Sequence, residues 1–262
     1  MKNASHYQKE IRKLLAGMKK VKPASASEDP LQALLEGILQ SDTIPKHSAR
    51  ALANLQREFM DFNELRVAPV KDIVNAVGRD FPRAREKAES LIKSLNRIFD
   101  RTYQLSMDYV AKMGKRDMLR HLSELGLNPF ASAYVMLFGY GHHAIPTDQA
   151  LLESLQLDGK LPPACTLDEA RSLLERVVGT KDAFSAHEFL RQYVDDMSKA
   201  LAKKHKADAA VQAAAQAAKE QKAADAAARA AAAAASRQAK DKAAAIAARK
   251  VKVRAKLTKK RK

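Results

Sequence analysis

Apolar residues recur at three- and four-residue intervals through the first 200 positions of the chain, and no segment there alternates like a β-strand. Connectors between the periodic segments are short. The pattern predicts an all-α fold of about ten short helices. The predicted helices cover residues 6–20, 29–39, 46–59, 62–67, 70–77, 84–100, 107–112, 115–124, 131–139, 149–155, 167–178 and 183–201.

The pattern changes abruptly near residue 200. Of the final 62 residues 27 are Ala, and none is Gly, Pro, Phe, Tyr or Trp. Such a segment has little with which to build a packed core. We therefore divide the chain into an N-terminal helix and linker (1–27), a helical domain (28–198) and a tail (199–262).

Charge is concentrated in the tail, since residues 201–262 hold 18 of the 47 Lys and Arg but only 4 of the 30 Asp and Glu. Spaced cations neutralise phosphates and release counterions, which gives DNA affinity without sequence preference. The tail resembles the Ala- and Lys-rich tails of linker histones, either as a single helix or as a chain that becomes helical on a polyanion. A solubility or linker segment is the alternative. The candidate phosphate contacts are Lys252, Arg254, Lys259, Lys260 and Arg261.

Cysteine and hydropathy exclude several classes of protein. The only cysteine is Cys165, which rules out an intramolecular disulfide framework, a four-thiolate zinc site and a cysteine-ligated iron–sulfur cluster. No apolar run approaches the roughly 20 residues that span a bilayer. We expect a cytoplasmic, nucleoid-associated monomer without a cofactor or a membrane partner.

The most informative segment is a tight turn at residues 125–128, between two apolar helices. Gly126 and Asn128 both tolerate positive φ. A turn of this kind points successive backbone N–H groups outward at the start of the second helix, where they can bind a phosphate. An ordinary turn inside a helical core is the alternative.

Residues 125–131 (Leu-Gly-Leu-Asn-Pro-Phe-Ala) resemble the hairpin of the helix-hairpin-helix DNA glycosylases, the endonuclease III superfamily, whose pattern is Leu-Pro-Gly-Val-Gly-x-x-x-Ala. Residues 38–43 (Ile-Leu-Gln-Ser-Asp-Thr) are similar to the Ile-Leu-Ser-Gln-Asn-Thr of that family. Gly78 followed by residues 87–92 resembles its Gly…Lys-Ala-x-x-Ile segment, and residues 140–148 resemble its Phe-Gly…Val-Asp. The resemblance covers about residues 28–198.

The resemblance implies two helical subdomains that flank a DNA-binding cleft, with double-stranded, damaged DNA as the partner. It also implies base excision, in which the target nucleotide is flipped out of the duplex. Asp148 stands at the position of the catalytic carboxylate, although its sequence context also suits a helix cap. The resemblance further places Gly126, Leu127, Asn128 and Phe130 of the hairpin on DNA. It does the same for the loop residues Ser41, Asp42 and Thr43.

Departures from the family pattern refine this prediction. Phe130 occupies the position of the lysine that forms a Schiff base in the strand-cleaving members, so we expect base removal without lyase activity. Asn128 replaces the second hairpin glycine, and Ser41 replaces the glutamine that fills the emptied base stack. Lys87 is expected to be a solvated helix residue. The alternative function is a DNA-binding or nucleoid-associated protein that keeps the fold without catalysis, and a weaker one is an RNA- or ribosome-associated protein.

Overall fold

The computed structural model describes residues 3–20 and 29–259, with side chains described for residues 3–18 and 29–226. The chain divides into two units, Met1–Leu201 and Ala202–Lys262. In the described residues the structure is helical and contains no strand. The predicted all-α fold is confirmed.

The helices lie close to the predicted positions. A 3₁₀ segment, Ala16–Lys20, follows the first described α-helix, and another, Thr180–Asp182, precedes the last one. The α-helices are α1 (Ala4–Leu15), α2 (Pro30–Gln40), α3 (Pro45–Glu58), α4 (Phe62–Val67), α5 (Val70–Val77), α6 (Ala84–Thr102), α7 (Lys115–Leu125), α8 (Pro129–Tyr134), α9 (Gln149–Leu157), α10 (Leu167–Val177) and α11 (Ala183–Lys259).

Local sequence explains where several helices begin. The side chains of Asp29, Asp61 and Thr166 accept hydrogen bonds from the first-turn N–H groups of α2, α4 and α10. These N–H groups have no partner within the helix, so a short oxygen acceptor satisfies them. Proline at the first position of α2, α3 and α8 presets the helical φ where no N–H is needed.

Two predicted helices differ in type from the α-helix. The segment predicted at 107–112 is a 3₁₀ helix, Asp108–Lys112. The segment predicted at 131–139 ends in a π-helix, Val135–Gly139, after the short α8. Over five residues the apolar spacing of the three helix types is too similar for sequence to separate them.

The first unit contains two apolar cores. One core is built mainly from α2 to α8 and includes Leu34, Leu95 and Leu122. The other combines Ile11 of α1 with residues of α9, α10 and the start of α11, such as Leu174. Residues of α2 and of the segment 129–139 contribute to both cores. These two cores match the expected pair of helical subdomains, and the second core draws on both ends of the unit.

A close approach of α2 and α8 brings the two cores together. A Cβ added at Gly37 would lie 3.1 Å from Cβ of Tyr134 and 3.2 Å from the backbone of Ala131. Such contacts are tighter than most Cβ contacts in proteins, so a side chain at residue 37 would force α8 to move by a few tenths of an ångström. This crossing places the C-terminal end of α2, with Gln40, beside the start of α8.

In the second unit, residues 202–259 are helical. Lys252, Arg254 and Lys259 lie in this helix, and their side chains are outside the described part of the structure. Lys260 and Arg261 lie outside the described residues altogether. No described helix is both long enough and apolar enough to cross a membrane.

Candidate active site around Asp148

Asp148 lies at the N-terminus of α9 and is buried, with 3 % of its surface exposed. Its Oδ1 accepts a hydrogen bond from the backbone N–H of Leu151 at 2.9 Å, which makes it the cap of α9. Its Oδ2 accepts a second hydrogen bond, from the backbone N–H of Asp42 at 2.9 Å. The helix cap and the candidate catalytic carboxylate are therefore the same group, as the sequence allowed.

The side chain of Asp42 in turn accepts a hydrogen bond from the start of α9. Its Oδ1 accepts from the backbone N–H of Gln149 at 3.1 Å, so two carboxylates lie at the N-terminus of α9. The other carboxylate oxygen of Asp42 forms an ion pair with Arg83. The α2–α3 loop is thus fixed to α9 by reciprocal hydrogen bonds between Asp42 and residues 148–149.

Arg191 of α11 is the third group at the site, and sequence reasoning did not single it out. Its Nη1 donates to Oδ2 of Asp148 at 3.3 Å, and both side chains are almost fully buried. Its Nη2 donates to the carbonyl oxygens of Gln40, at 3.2 Å, and of Thr43. The guanidinium also lies 5.7 Å from the ring centre of Phe130. A single buried cation therefore joins α11, the α2–α3 loop and Asp148.

Burial and the ion pair act in opposite directions on the carboxyl group of Asp148. Burial raises the pKa of Asp148 above the ordinary value for aspartate, and the guanidinium of Arg191 opposes that rise. The N–H groups of Leu151 and Asp42 also stabilise the carboxylate, as hydrogen-bond donors do. The net direction is upward.

Lys87 of α6 lies on the other side of the α2–α3 loop. It is only 7 % exposed, so the prediction that Lys87 is a solvated helix residue is wrong. Its Nζ donates to the carbonyl oxygen of Leu39 at 3.0 Å and to the hydroxyl of Thr43, and it lies 4.6 Å from the ring centre of Phe81. Burial, helped by the nearby charge of Arg83, lowers the pKa of Lys87 to about 7.

Within the hairpin, residues 125–128, Gly126 alone has a left-handed backbone conformation, with φ 100°. Asn128 has φ −72°, an extended conformation, so it does not adopt the left-handed geometry that an asparagine at this position would tolerate. Asn128 serves instead as the cap of α8, since its Oδ1 accepts from the N–H of Ala131 at 2.8 Å. Its Nδ2 donates to the hydroxyl of Ser41 at 2.9 Å. Asn128 therefore links the hairpin to the α2–α3 loop.

Fewer hairpin N–H groups are free than the sequence suggested. The N–H groups of Gly126 and Leu127 donate back to carbonyl oxygens of α7, and Pro129 has none. Among the described residues, no backbone carbonyl accepts from the N–H groups of Asn128 and Phe130. Asn128 is exposed and Phe130 is buried, so the N–H of Asn128 is the hairpin donor that a phosphate can meet.

Most of the other predicted DNA contacts are covered by protein. Ser41, Thr43 and Leu127 are buried, and only Asp42 among the three loop residues is half-exposed. The ring of Phe130 is 3 % exposed and packs with Tyr134 and His187 in the second core. The structure thus brings the loop, the hairpin and Asp148 together.

A cleft of about 240 Å³ lies between α2, α3 and the start of α11. Its polar lining includes Glu36, Gln40 and Glu188, and Arg191 forms part of its wall. Arg191 therefore contacts Asp148 and also lines the cleft. The hydroxyl of Tyr134 donates to Glu36 at 2.8 Å and accepts from Gln40 at 3.0 Å, which fixes one side of the cleft.

One sequence signal could have identified Arg191. The buried positions among the described side chains of α11 follow a helical stripe: Ala183, Ala186, His187, Leu190, Arg191, Val194 and Leu201. A cation inside an apolar stripe needs a buried anion as its partner. Asp148 satisfies that need, although no local pattern connects two residues that are 43 positions apart.

Known proteins resemble this chain over part of its length, and no family model matches it. An Arabidopsis thaliana protein named "Putative DNA glycosylase" is 26 % identical over 152 residues, which are 58 % of this chain and 52 % of that protein. The chain thus matches about half the length of this curated relative.

Solved structures show the same fold at low sequence identity. A trapped endonuclease III–DNA covalent intermediate has a TM-score of 0.55 at 13 % identity, over 73 % of this chain and 85 % of the other. Clostridium acetobutylicum 8-oxoguanine glycosylase/lyase with DNA has a TM-score of 0.55 at 17 % identity, over 75 % and 71 %. H. pylori 3-methyladenine DNA glycosylase has 0.54 at 15 %, over 74 % and 97 %. The resemblance is confirmed: this chain has the fold of the helix-hairpin-helix DNA glycosylases.

Proposed function

We propose that the protein is a DNA glycosylase of the endonuclease III type, which removes a damaged base from double-stranded DNA. The observation that carries the proposal is the position of Asp148, an aspartate at the N-terminus of α9 hydrogen-bonded to the α2–α3 loop. The same loop contacts the hairpin through Asn128 and Ser41. The fold and the names of the relatives support the same class of chemistry.

Base excision needs a carboxylate close to the sugar. When the N-glycosidic bond breaks, positive charge develops on the sugar, and a carboxylate stabilises it and orients the attacking water. Asp148 would supply this group. Its side chain is 2 % exposed in the free protein, so the groups that cover it must rearrange when DNA binds before the sugar can reach it.

The proposed reaction stops at base removal. A strand-cleaving lyase uses an amine to form an imine with the sugar, and Phe130 provides no amine at the hairpin position. The ring of Phe130 is fixed in the second core by Tyr134, His187 and Arg191. An abasic site is therefore the proposed product.

The basic tail is proposed to increase affinity for undamaged DNA in the nucleoid. Its net positive charge supplies the sequence-independent part of binding, and the hairpin N–H of the exposed Asn128 supplies a fixed phosphate contact. We propose that a monomer carries both parts.

A second candidate is a DNA-binding protein without catalysis. It is favoured by one observation, the complete engagement of the Asp148 carboxylate by Leu151, Asp42 and Arg191. A carboxylate that never leaves these partners would act as a structural cap.

Duplexes that each contain uracil, thymine glycol, an alkylated purine or an abasic site distinguish the two candidates. Each duplex is incubated with the full chain, and strand breaks are measured before and after treatment with alkali. Breaks that appear only after alkali on a base-damaged duplex support the glycosylase. Equal binding to all duplexes, with no break in the base-damaged duplexes beyond that of a protein-free control, supports the non-catalytic protein.

A further inference from the structure

The charged groups around Asp148 come from three elements. Asp42 approaches from the α2–α3 loop, Arg191 from α11 and Lys87 from α6. Asp42 is itself paired with Arg83, and Lys87 donates its hydrogen bonds to Leu39 and Thr43. Of the described cations, Arg191 is the one that donates a hydrogen bond to Asp148.

Arg191 links Asp148 to the α2–α3 loop. One guanidinium nitrogen donates to Asp148, and the other donates to the carbonyl oxygens of Gln40 and Thr43, at the two ends of the α2–α3 loop. A planar fork of donors can reach all three acceptors at once, whereas a lysine ammonium on its flexible stem cannot hold the same geometry.

We propose that Arg191 is a positioning residue, which keeps the buried Asp148 carboxyl ionised and holds its Oδ2 against the α2–α3 loop. The ionised form is the one that stabilises positive charge on a sugar, so this role rests on the proposed glycosylase function. The cation that faces the carboxylate is thus supplied by α11.

The charge effect is tested on the protein without DNA. The carboxyl carbon of Asp148 is followed by NMR titration in full-length protein labelled at aspartate, with Asp148→Asn used to assign the signal. In Arg191→Gln the titration midpoint should move to higher pH by one unit or more, because the opposing cation is gone. Arg171→Gln, which removes an ion pair with the exposed Asp168, is the matched control and should leave the signal unchanged.

Arg191→Lys separates charge from geometry and remains informative if the glutamine variant does not fold. Lysine keeps the charge, so the Asp148 midpoint should stay within about half a pH unit of the unmodified protein, although the hydrogen bonds to the two carbonyl oxygens are broken. An unchanged midpoint in Arg191→Gln would overturn the proposal. So would a midpoint in Arg191→Lys raised by one unit or more.

The pH profile of base removal tests the catalytic part. In single-turnover assays the acid limb of the Arg191→Gln profile should move to higher pH by the same amount as the NMR midpoint, so that activity is lost at low pH and recovered towards pH 9, because this limb follows the Asp148 carboxyl. A merely structural defect would lower the rate equally at every pH and would overturn the proposed role. Absence of base removal by the unmodified protein, together with a shifted NMR midpoint, would refute the glycosylase function while supporting the effect of Arg191 on charge.

Discussion

At the scale of single residues, the charge of one carboxyl group carries the proposed chemistry. We expect Asp148→Asn to lower the rate of base removal by a factor of about 100 or more, the scale found when a group that stabilises developing charge is removed. Asparagine can still cap α9, so duplex affinity should change only a few-fold. Single-turnover excision and a binding titration on the same duplex measure the two effects.

The matched control for Asp148→Asn is Asp61→Asn. Asp61 also caps a helix, accepting from the N–H of Glu64 at 2.8 Å, but it lies at the start of α4, outside the site. Its variant should excise at the normal rate. Normal excision by Asp148→Asn itself would remove this residue from the mechanism.

Lys87 predicts a pH dependence of stability. Its pKa is about 7 in the folded protein, whereas the ordinary value for an exposed lysine is 10.5. Between these values the unfolded chain binds more protons than the folded one, so the free energy of unfolding should rise with pH by up to about 1.4 kcal/mol per pH unit from this group. Denaturant unfolding at pH 7, 8 and 9 should show a steeper rise in the unmodified protein than in Lys87→Met.

Phe130 predicts the outcome of a trapping experiment. Borohydride reduces an imine to a stable cross-link, so the unmodified protein should form no covalent complex with abasic-site DNA. Efficient trapping would mean that another amine acts as the nucleophile. Lys87→Met and the exposed Lys93→Met would then show whether the buried amine with the lowered pKa is responsible.

At the scale of elements, Asn128 has two roles that substitutions can separate, the cap of α8 and the link to the α2–α3 loop. Asn128→Ala removes the cap of α8 and the hydrogen bond to Ser41, and it should lower the free energy of unfolding by about 1 kcal/mol or more. Asn128→Asp keeps the cap but loses the amide that donates to Ser41. The thermal midpoint should therefore fall further in the alanine variant than in the aspartate variant. Both variants should bind duplex DNA more weakly than the unmodified protein. Full duplex affinity in Asn128→Asp would show that the link to the loop is dispensable for binding.

The helices were largely predictable because their signals are local. Asp29 and Pro30 start α2, and the apolar spacing defines the buried face that follows. The shift to 3₁₀ and π geometry near residues 110 and 137 was not predictable, since tertiary packing rather than local preference decides it over such short lengths.

The composition of the site was only partly predictable. The resemblance indicated Asp148 and the hairpin, but neither spacing nor composition shows which cation faces a buried carboxylate. Lys87 was missed for the same reason, because a lysine on an amphipathic helix is ordinarily solvated. Its burial depends on Leu39 and Thr43, which the sequence places more than 40 residues away.

At the scale of the whole molecule, the tail predicts how DNA affinity depends on salt. The truncation should follow Leu201, which is 6 % exposed and belongs to the first unit. Removing residues 202–262 should weaken binding to undamaged duplex by at least tenfold at moderate salt. The slope of log affinity against log salt should flatten by roughly 0.9 for each DNA phosphate that the tail no longer neutralises.

A full-length variant with the tail Lys and Arg replaced by Gln is the control for this truncation. It should behave like the truncated protein if charge is the cause. The thermal midpoint of residues 1–201 should hardly change in either variant. Unchanged affinity and salt dependence, or loss of folding on truncation, would contradict the role proposed for the tail.

The two cores of the first unit also set an order of events during synthesis. The core around Leu34 and Leu122 uses a continuous stretch of chain and can form as soon as that stretch leaves the ribosome. The core that buries Ile11 also requires Leu174 and Val194, so α1, which is made before the rest of this unit, must wait for the last part of the unit. During that interval α1 has an apolar face without its partners, which makes the nascent chain a candidate client for chaperones.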